Sequence, residues 1–240
     1  MRLVRALQSQ GFGSRKGCVA LVRSGAVEVN GIPCDNPETE VDPSGLVLTL
    51  DGVAWVYRER AYVLMHKPLG YECSRHPSHH SSVFDLLPPP LIQRGMQCVG
   101  RLDQDTTGLL LFSDDGQFIH RMISPRKGVA KVYRATCADP VSSAMLDALR
   151  TGVQLNDEPA PIAALACEAL DSHTLRLSLG EGKYHQVRRM IAATGNRVDR
   201  LHREAIGNHA LPATLPPGQW CWLDENDLKQ LEQPWPSAKS

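Results

Sequence analysis

The sequence predicts an α+β fold: a small helix–helix–hairpin module over residues 1–58, then a larger domain over residues 59–240 built on a mixed, largely antiparallel sheet. Three observations lead there. Strand-like runs recur along the whole chain, whereas helical spacing is confined to short stretches. Asn-Gly and Asp-Gly pairs separate alternating apolar runs near the start, which is hairpin chemistry. The sustained βαβ alternation and the G-x-G-x-x-G string of a dinucleotide-binding sheet do not occur.

Within the first module, Leu3, Ala6 and Leu7 fall at helical spacing over Arg2–Gln10. Ser14 is placed to cap a second helix, Arg15–Ser24, that stops at Gly25. AVEVNGIPC and VLTLDGVAWV then each read as strand, tight turn, strand. The charged step Arg58-Glu59-Arg60 is the expected linker.

From Ala61 the texture changes. AYVLMHKPLGY reads as a strand halted at Lys67-Pro68, RHPSHHSSVFDLLPPPL as loop, and LLLFS as a strand turned at Asp115-Gly116. QFIHRMIS is a short helix, KVYRATC an alternating strand, and SSAMLDALRTGV a helix capped at Ser142 or Ser143. ALACEAL and TLRLSLG follow as strands. YHQVRRMIAATG is a helix with Tyr184, Val187, Met190 and Ile191 as its apolar stripe. NRVDRLHREAIG and QWCWL are the last strands.

The 240 residues are 42% hydrophobic and 22% charged, as in a globular protein with room for a substantial core. No apolar run reaches the roughly 20 residues of a membrane span, and the N-terminus lacks a secretory signal pattern, so a cytoplasmic location is expected. The seven cysteines form no C-x-x-C pair and read as free thiols rather than a disulfide framework or zinc ribbon. Net charge is zero, yet it is segregated. Met1–Gly31 carries Arg2, Arg5, Arg15, Lys16 and Arg23 against Glu28, and Lys183–Arg203 carries six Lys/Arg against Asp199. Such patches give a neutral molecule basic faces suited to nucleic acid.

Two stretches carry candidate chemistry. In VGRLDQDTTGLLLFSDDG, Asp103 and Asp105 precede a buried strand. Their side chains are expected to point apart, which argues against a paired-carboxylate site. Asp105 fits a loop-capping role; pattern alone leaves Asp103 open between a catalytic carboxylate and the polar end of a strand. In GEGKYHQVRRMIAATG, Lys183, His185, Arg188 and Arg189 crowd a helix start, where an anion is favoured: a phosphate, or a carboxylate such as Asp103. His185 has no second ligand at i+4, and His76, His79 and His80 match no standard metal spacing, so no metal site is expected. Tyr133 is either a half-buried strand residue or a surface on which a nucleobase stacks.

GRLDQDTTGLLLFSDDG, SPRKGVAKVYRATC, EGKYHQVRRMIAATGN and LHREAIG, in this order and with YVLMHKPLGYECS upstream, resemble the pseudouridine synthases of the ribosomal small-subunit branch, the RsuA-type family. The resemblance runs over nearly the whole chain. It implies an S4-like RNA-binding domain at 1–58 and a pseudouridine synthase catalytic domain at 59–240. It also implies Asp103 as the catalytic carboxylate, Arg188 as its ion-pair partner, Tyr133 against the target base and Arg101 on RNA beside the flipped nucleotide. Asp105 to Gly108 would shape the loop. Arg15, Lys16, Arg23, Lys183, His185 and Arg189 are the further expected RNA contacts. One departure stands at Arg2-Leu3-Val4-Arg5, where the family commonly reads R-L-D-K.

The implied reaction turns a uridine over on its sugar and rejoins it through C5. It loses no group and has no redox step, so neither cofactor nor metal is called for. The expected partner is ribosomal RNA, 16S first, or the assembling small subunit, with the protein a monomer away from membranes. The alternatives are a synthase acting on large-subunit 23S RNA and a non-catalytic RNA-binding ribosome-assembly protein.

Overall fold

A computed structural model of the chain describes residues 1–235; the last five residues of the larger domain expected from sequence lie outside the described residues. The chain forms two compact units. The first joins residues 1–61 to residues 87–97, and the second joins residues 62–86 to the chain from Cys98 onward. The first unit therefore takes in a segment, Leu87–Gln97, that sequence alone assigned to the larger domain.

In the first unit, α1 (Leu3–Ser9) and α2 (Arg15–Arg23) precede β1 (Val27–Val29), β2 (Ile32–Pro33), β3 (Val47–Leu50) and β4 (Val53–Val56). The strands form a four-stranded sheet in the order β2-β1-β3-β4. Both hairpins turn as expected: Asn30-Gly31 and Asp51-Gly52 all have positive φ, as a type I′ turn requires. Ser14 accepts the Gly17 N–H and starts α2. Leu3, Leu7, Cys18, Val22, Leu46 and Leu48 bury the apolar faces in one core.

The distant segment contributes α3 (Pro89–Gln93), started by a proline at its first position. It is tied in through Gln10, which is fully buried. The Gln10 Oε1 accepts from Arg94 Nη1 (3.0 Å), Arg58 N (3.1 Å) and Trp55 Nε1 (3.2 Å), and its Nε2 donates to Arg58 O (3.0 Å). Gly11 makes this approach possible. At φ +86 it leaves no space for a side chain, because a Cβ would stand 2.0 Å from the Pro90 carbonyl oxygen.

The second unit is organised by a nine-stranded sheet. Its elements are β5 (Tyr62–Lys67), β6 (Tyr71–Glu72), β7 (Ser81–Ser82), β8 (Gln97–Val99), β9 (Thr106–Ser113), α4 (Gly116–Ile123), β10 (Lys131–Cys137) and α5 (Ser143–Thr151). There follow β11 (Ala166–Ala169), β12 (Thr174–Leu179), α6 (Gln186–Ala193), β13 (Val198–Ile206), β14 (His209–Ala210), β15 (Trp220–Trp222) and α7 (Glu225–Leu231). The main order is β11-β12-β10-β13-β9-β5-β15, with β14 on β13 and β8 on β9; β6 and β7 pair separately. The β9–β13 contact is parallel, and β10–β12, β10–β13, β11–β12, β5–β9 and β5–β15 are antiparallel. This is the mixed, largely antiparallel sheet the sequence predicts.

Strand β9 begins at Thr106, three residues before the LLLFS run, and it is buried along almost its whole length. Both its faces are covered, so it reads as a continuous apolar run rather than an alternation. Leu109 and Leu111 join Leu64, with Phe118 and Met122 of α4 and Leu231 of α7, in one core. Phe112 points the other way and meets Phe84 edge to face at 5.5 Å. Sequence reading overlooked α7, although Asp224 forms a capping box with Asp227 at its start.

Replacing Gln10 by alanine removes the shared acceptor of three donors in the first unit. The expected loss is about 2–4 kcal/mol of that unit's stability, measured by urea denaturation followed at Trp55. An unchanged midpoint would show that the donors find other partners.

Candidate active site

Asp103 stands in the loop between β8 and β9, so its position depends on how β9 enters the sheet. Gly108 controls that entry. It has φ +112, and a Cβ there would lie 2.3 Å from the Arg203 carbonyl oxygen of β13. Only glycine lets the two parallel strands close at this point. Arg203 is itself buried and donates from Nε to Leu109 O at 2.7 Å, fastening β13 to β9 through a side chain as well.

The loop is braced from β5 by Lys67, which is fully buried. Its ammonium donates to Thr106 O (2.9 Å), Pro68 O (3.1 Å) and Gln104 O (3.4 Å). Gly70 N also donates to Gln104 O (2.9 Å), and Thr106 N closes a turn on Asp103 O (3.1 Å). Burial pushes the Lys67 ammonium below its ordinary pKa, and the neighbouring Cys73, Asp103 and Asp105 oppose that shift. A buried cation is tolerated only where its donors are used, and here three carbonyl oxygens converge on it. Cys73 adds a further hold, its Sγ accepting the Leu102 N–H at 3.4 Å.

Asp103 opens into a cavity of about 810 Å³, walled on the sheet side by Tyr133 and Leu201 and across from it by residues 181–188. Its Oδ1 lies 3.4 Å from His185 Nε2, and both side chains are a little over one third exposed. Asp105 points elsewhere, its Oδ2 lying 2.8 Å from Arg188 Nη2. An extended chain would put residues two apart on one face, and it is the turn at Gln104-Asp105 that separates the two carboxylates.

This corrects the pairing expected from sequence. Arg188 is held by the Asp105 carboxylate, with further donations to Asp105 O (3.4 Å) and Val198 O (3.1 Å); the group beside Asp103 is His185. The reason is local geometry. The turn from Asp103 to Thr106 aims the first carboxylate at the chain just before α6 and the second at the first turn of α6.

The approach to α6 is a second correction. Tyr184 is not part of the helical stripe: α6 starts at Gln186, with Val187, Met190 and Ile191 on its buried side, and Tyr184 is exposed. His185 is the N-cap and takes a left-handed φ of +46. Gln186 makes the turn possible. Buried, it accepts the Lys183 N–H at Oε1 (2.8 Å) and donates from Nε2 to Glu181 Oε1 (3.0 Å). Gln186 and Lys67 are the site residues that sequence reading missed. Each left a signal: a polar residue at the start of an apolar helix, and a lysine ending an apolar strand ahead of proline.

The remaining predicted residues divide. Arg101, Lys183, His185 and Arg188 line the cavity with Tyr133, which is buried in β10. Lys183, however, is paired with Glu158 and lies 3.7 Å from Glu181, and the Glu158 contact raises its pKa. Arg189 lies 3.4 Å from Asp157 and is absent from the cavity lining. Acidic neighbours thus partly neutralise this basic cluster. Arg15, Lys16 and Arg23 are exposed on α2 in the first unit. In the His76–His80 loop it is the backbone that is held: the Glu72 carboxylate accepts the N–H groups of Ser78, His79 and His80 at 2.9–3.0 Å, and these bonds lower its pKa.

Comparison with known proteins places this geometry among relatives. Residues 61–193 match the family model described as RNA pseudouridylate synthase, and residues 1–47 match the S4 domain model. An uncharacterized RNA pseudouridine synthase of Bacillus subtilis (strain 168) is 37% identical over 238 residues, covering 98% of this chain and 99% of that protein. The ribosomal small subunit pseudouridine synthase A of Vibrio vulnificus is 37% identical over 240 residues, covering 96% and 99%. The protein of that name from Escherichia coli (strain K12) is 41% identical over 170 residues, covering 71% and 73%. A crystal structure of a pseudouridylate synthase matches with a TM-score of 0.68 at 32% identity, over 96% of this chain and 99% of that one.

Lys67→Met keeps the length of the side chain and removes the ammonium, taking that donor from the carbonyls of Pro68 and Thr106 and leaving Gln104 O with Gly70 N alone. Folding stability should fall by roughly 2–4 kcal/mol. Amide hydrogen exchange at residues 103–106 should rise at least about tenfold, reporting local opening of the loop. Unaltered exchange there would remove Lys67 from its bracing role.

Proposed function

Since this chain belongs to the RNA pseudouridine synthase family, we propose that it converts a uridine of small-subunit (16S) ribosomal RNA to pseudouridine, with Asp103 as the reacting carboxylate. The observation that carries this reading is the placement of Asp103: a carboxylate on a loop braced to the sheet, opening into a cavity walled by Tyr133. The small-subunit target is supported by the full-length relatives named for that substrate.

A uridine must leave its stack to enter such a cavity, at a cost of a few kcal/mol. Contact with the Tyr133 ring returns roughly 1–3 kcal/mol of it. In the reaction the N1–C1′ bond breaks, the base turns, the C5–C1′ bond forms, the proton on C5 leaves and N1 takes up a proton, so that no atom is gained or lost overall. Asp103 acts as the carboxylate, in contact with His185 and near the Lys67 ammonium. Arg188 works through the loop: by holding the carboxylate and carbonyl of Asp105 it fixes the residue two places from Asp103. Arg101, at the cavity edge, meets the RNA backbone beside the flipped nucleotide. Arg15, Lys16 and Arg23 on the S4 unit add phosphate contacts, which make binding salt-dependent. The protein is proposed to act as a monomer, in the cytoplasm where ribosomal subunits assemble.

Uridine carrying tritium at C5 tests the chemistry. RNA from a strain lacking this protein should release label with the wild type and none with Asp103→Asn; full release by that variant would end the role given to Asp103. Mapping pseudouridine in ribosomal RNA with and without the gene tests the target. A site in large-subunit RNA would move the substrate, and no missing site would favour a non-catalytic RNA-binding role.

Arg188→Ala and Asp105→Ala should each lower kcat by about ten- to a hundredfold with RNA affinity nearly kept, and the double variant should be no worse than either alone. Additive losses would mean that Arg188 acts on something other than Asp105.

A further inference from the structure

Tyr184 takes no part in holding the Asp103 loop, yet its ring is positioned. It is the most exposed large hydrophobic residue among the described residues, at 75%, and it lies on the cavity lining. Its ring rests on the His185 imidazole with centroids 3.9 Å apart and planes 17° from parallel. His185 is set by its left-handed backbone and reaches to 3.4 Å from Asp103. The Tyr184 carbonyl accepts from Arg189 Nη1 at 3.4 Å, so α6 holds the residue from its other side. Scattered exposed apolar side chains are ordinary on protein surfaces. A ring stacked on the very histidine that touches the candidate carboxylate, at the edge of the cavity meant for a base, is not scattered.

We propose that Tyr184 is a stacking platform for the unpaired nucleobase next to the target uridine in the RNA, the outer step of a Tyr184–His185 stack that runs inward to Asp103. Tyr133 and Tyr184 then serve different bases. The buried ring meets the flipped uridine, and the exposed ring holds its neighbour on the strand. An aromatic face accepts any base, and preference among bases comes from stacking strength. Tyr184 therefore selects RNA in which the neighbour of the target is free to unstack, rather than reading hydrogen bonds on a base edge. This inference rests on the pseudouridine synthase reading of the site.

The test uses the full chain and a ribosomal RNA fragment carrying the mapped uridine with tritium at C5. Tyr184→Ala should raise KM about tenfold and change kcat by less than about twofold, while Tyr184→Phe and Tyr184→Trp stay near the wild type. Fragments with an abasic residue on the 5′ or the 3′ side of the uridine supply the second arm. At one of these positions the wild type should lose about tenfold in kcat/KM and Tyr184→Ala should lose nothing further, as expected when both changes remove one stacking contact. Equal abasic penalties for the two proteins at both positions would overturn the proposal. So would a Tyr184→Phe variant as poor as Tyr184→Ala, or a fall in kcat at constant KM, which would mark Tyr184 as a prop for His185 only. Label release by Asp103→Asn, run alongside, would instead overturn the reading of the site itself.

Discussion

The ammonium of Lys67 is the contact on which the candidate site most depends. A cation without an exposed surface is costly in a protein interior, and nothing in the β5–β9 pairing calls for one. Its cost is offset by drawing together carbonyls of Pro68, Gln104 and Thr106, which the chain could otherwise leave in several arrangements. The loop around Asp103 thereby acquires a single shape from the sheet below it. The Gly108–Arg203 crossing fixes the same loop from the other strand, through the absence of a side chain rather than the presence of one.

Two carboxylates two residues apart are thus separated in role by backbone alone. Asp103 faces the cavity and His185; Asp105 faces Arg188. The arginine is held by the carboxylate that faces away from the cavity side of Asp103, which makes it a support for the loop and leaves that side open. Such an arrangement places rigidity one layer behind the candidate carboxylate, where it costs no access.

Local chemistry made much of this legible in the sequence. Asn30-Gly31 and Asp51-Gly52 announced their hairpins, and Ser14 and Ser142 their helix starts, because each of these signals acts over two to four residues. The divergence of Asp103 and Asp105 was expected, but its cause is the turn that Thr106 N closes on Asp103 O, since alternation would put residues two apart on one face. Partners far apart in sequence were another matter. The Lys67 bracing joins positions nearly forty residues apart, and no spacing rule links a lysine to the carbonyls it holds. The Arg188–Asp105 pair spans more than eighty residues, and a resemblance in motifs placed the arginine correctly near the loop while assigning it the wrong carboxylate. Tyr184 was placed in a helix that starts two residues later, because Gln186, rather than a serine or aspartate, makes the helix entry.

The division of the first unit into two stretches of chain has its own meaning. Gln10 and Gly11 require Pro90 and Arg94, which the chain supplies only after it has begun the second unit with β5, β6 and β7. No single cut in the polypeptide releases the first unit intact. A fragment ending near residue 60 would keep the Trp55 and Arg58 bonds to Gln10 but lose its Arg94 donor and leave the backbone at Gly11 uncovered, and on the ribosome this unit is not complete until residues past 97 have emerged. The S4 unit is therefore completed only once synthesis of the larger unit is under way, and a gene rearrangement that borrowed it would have to borrow two pieces.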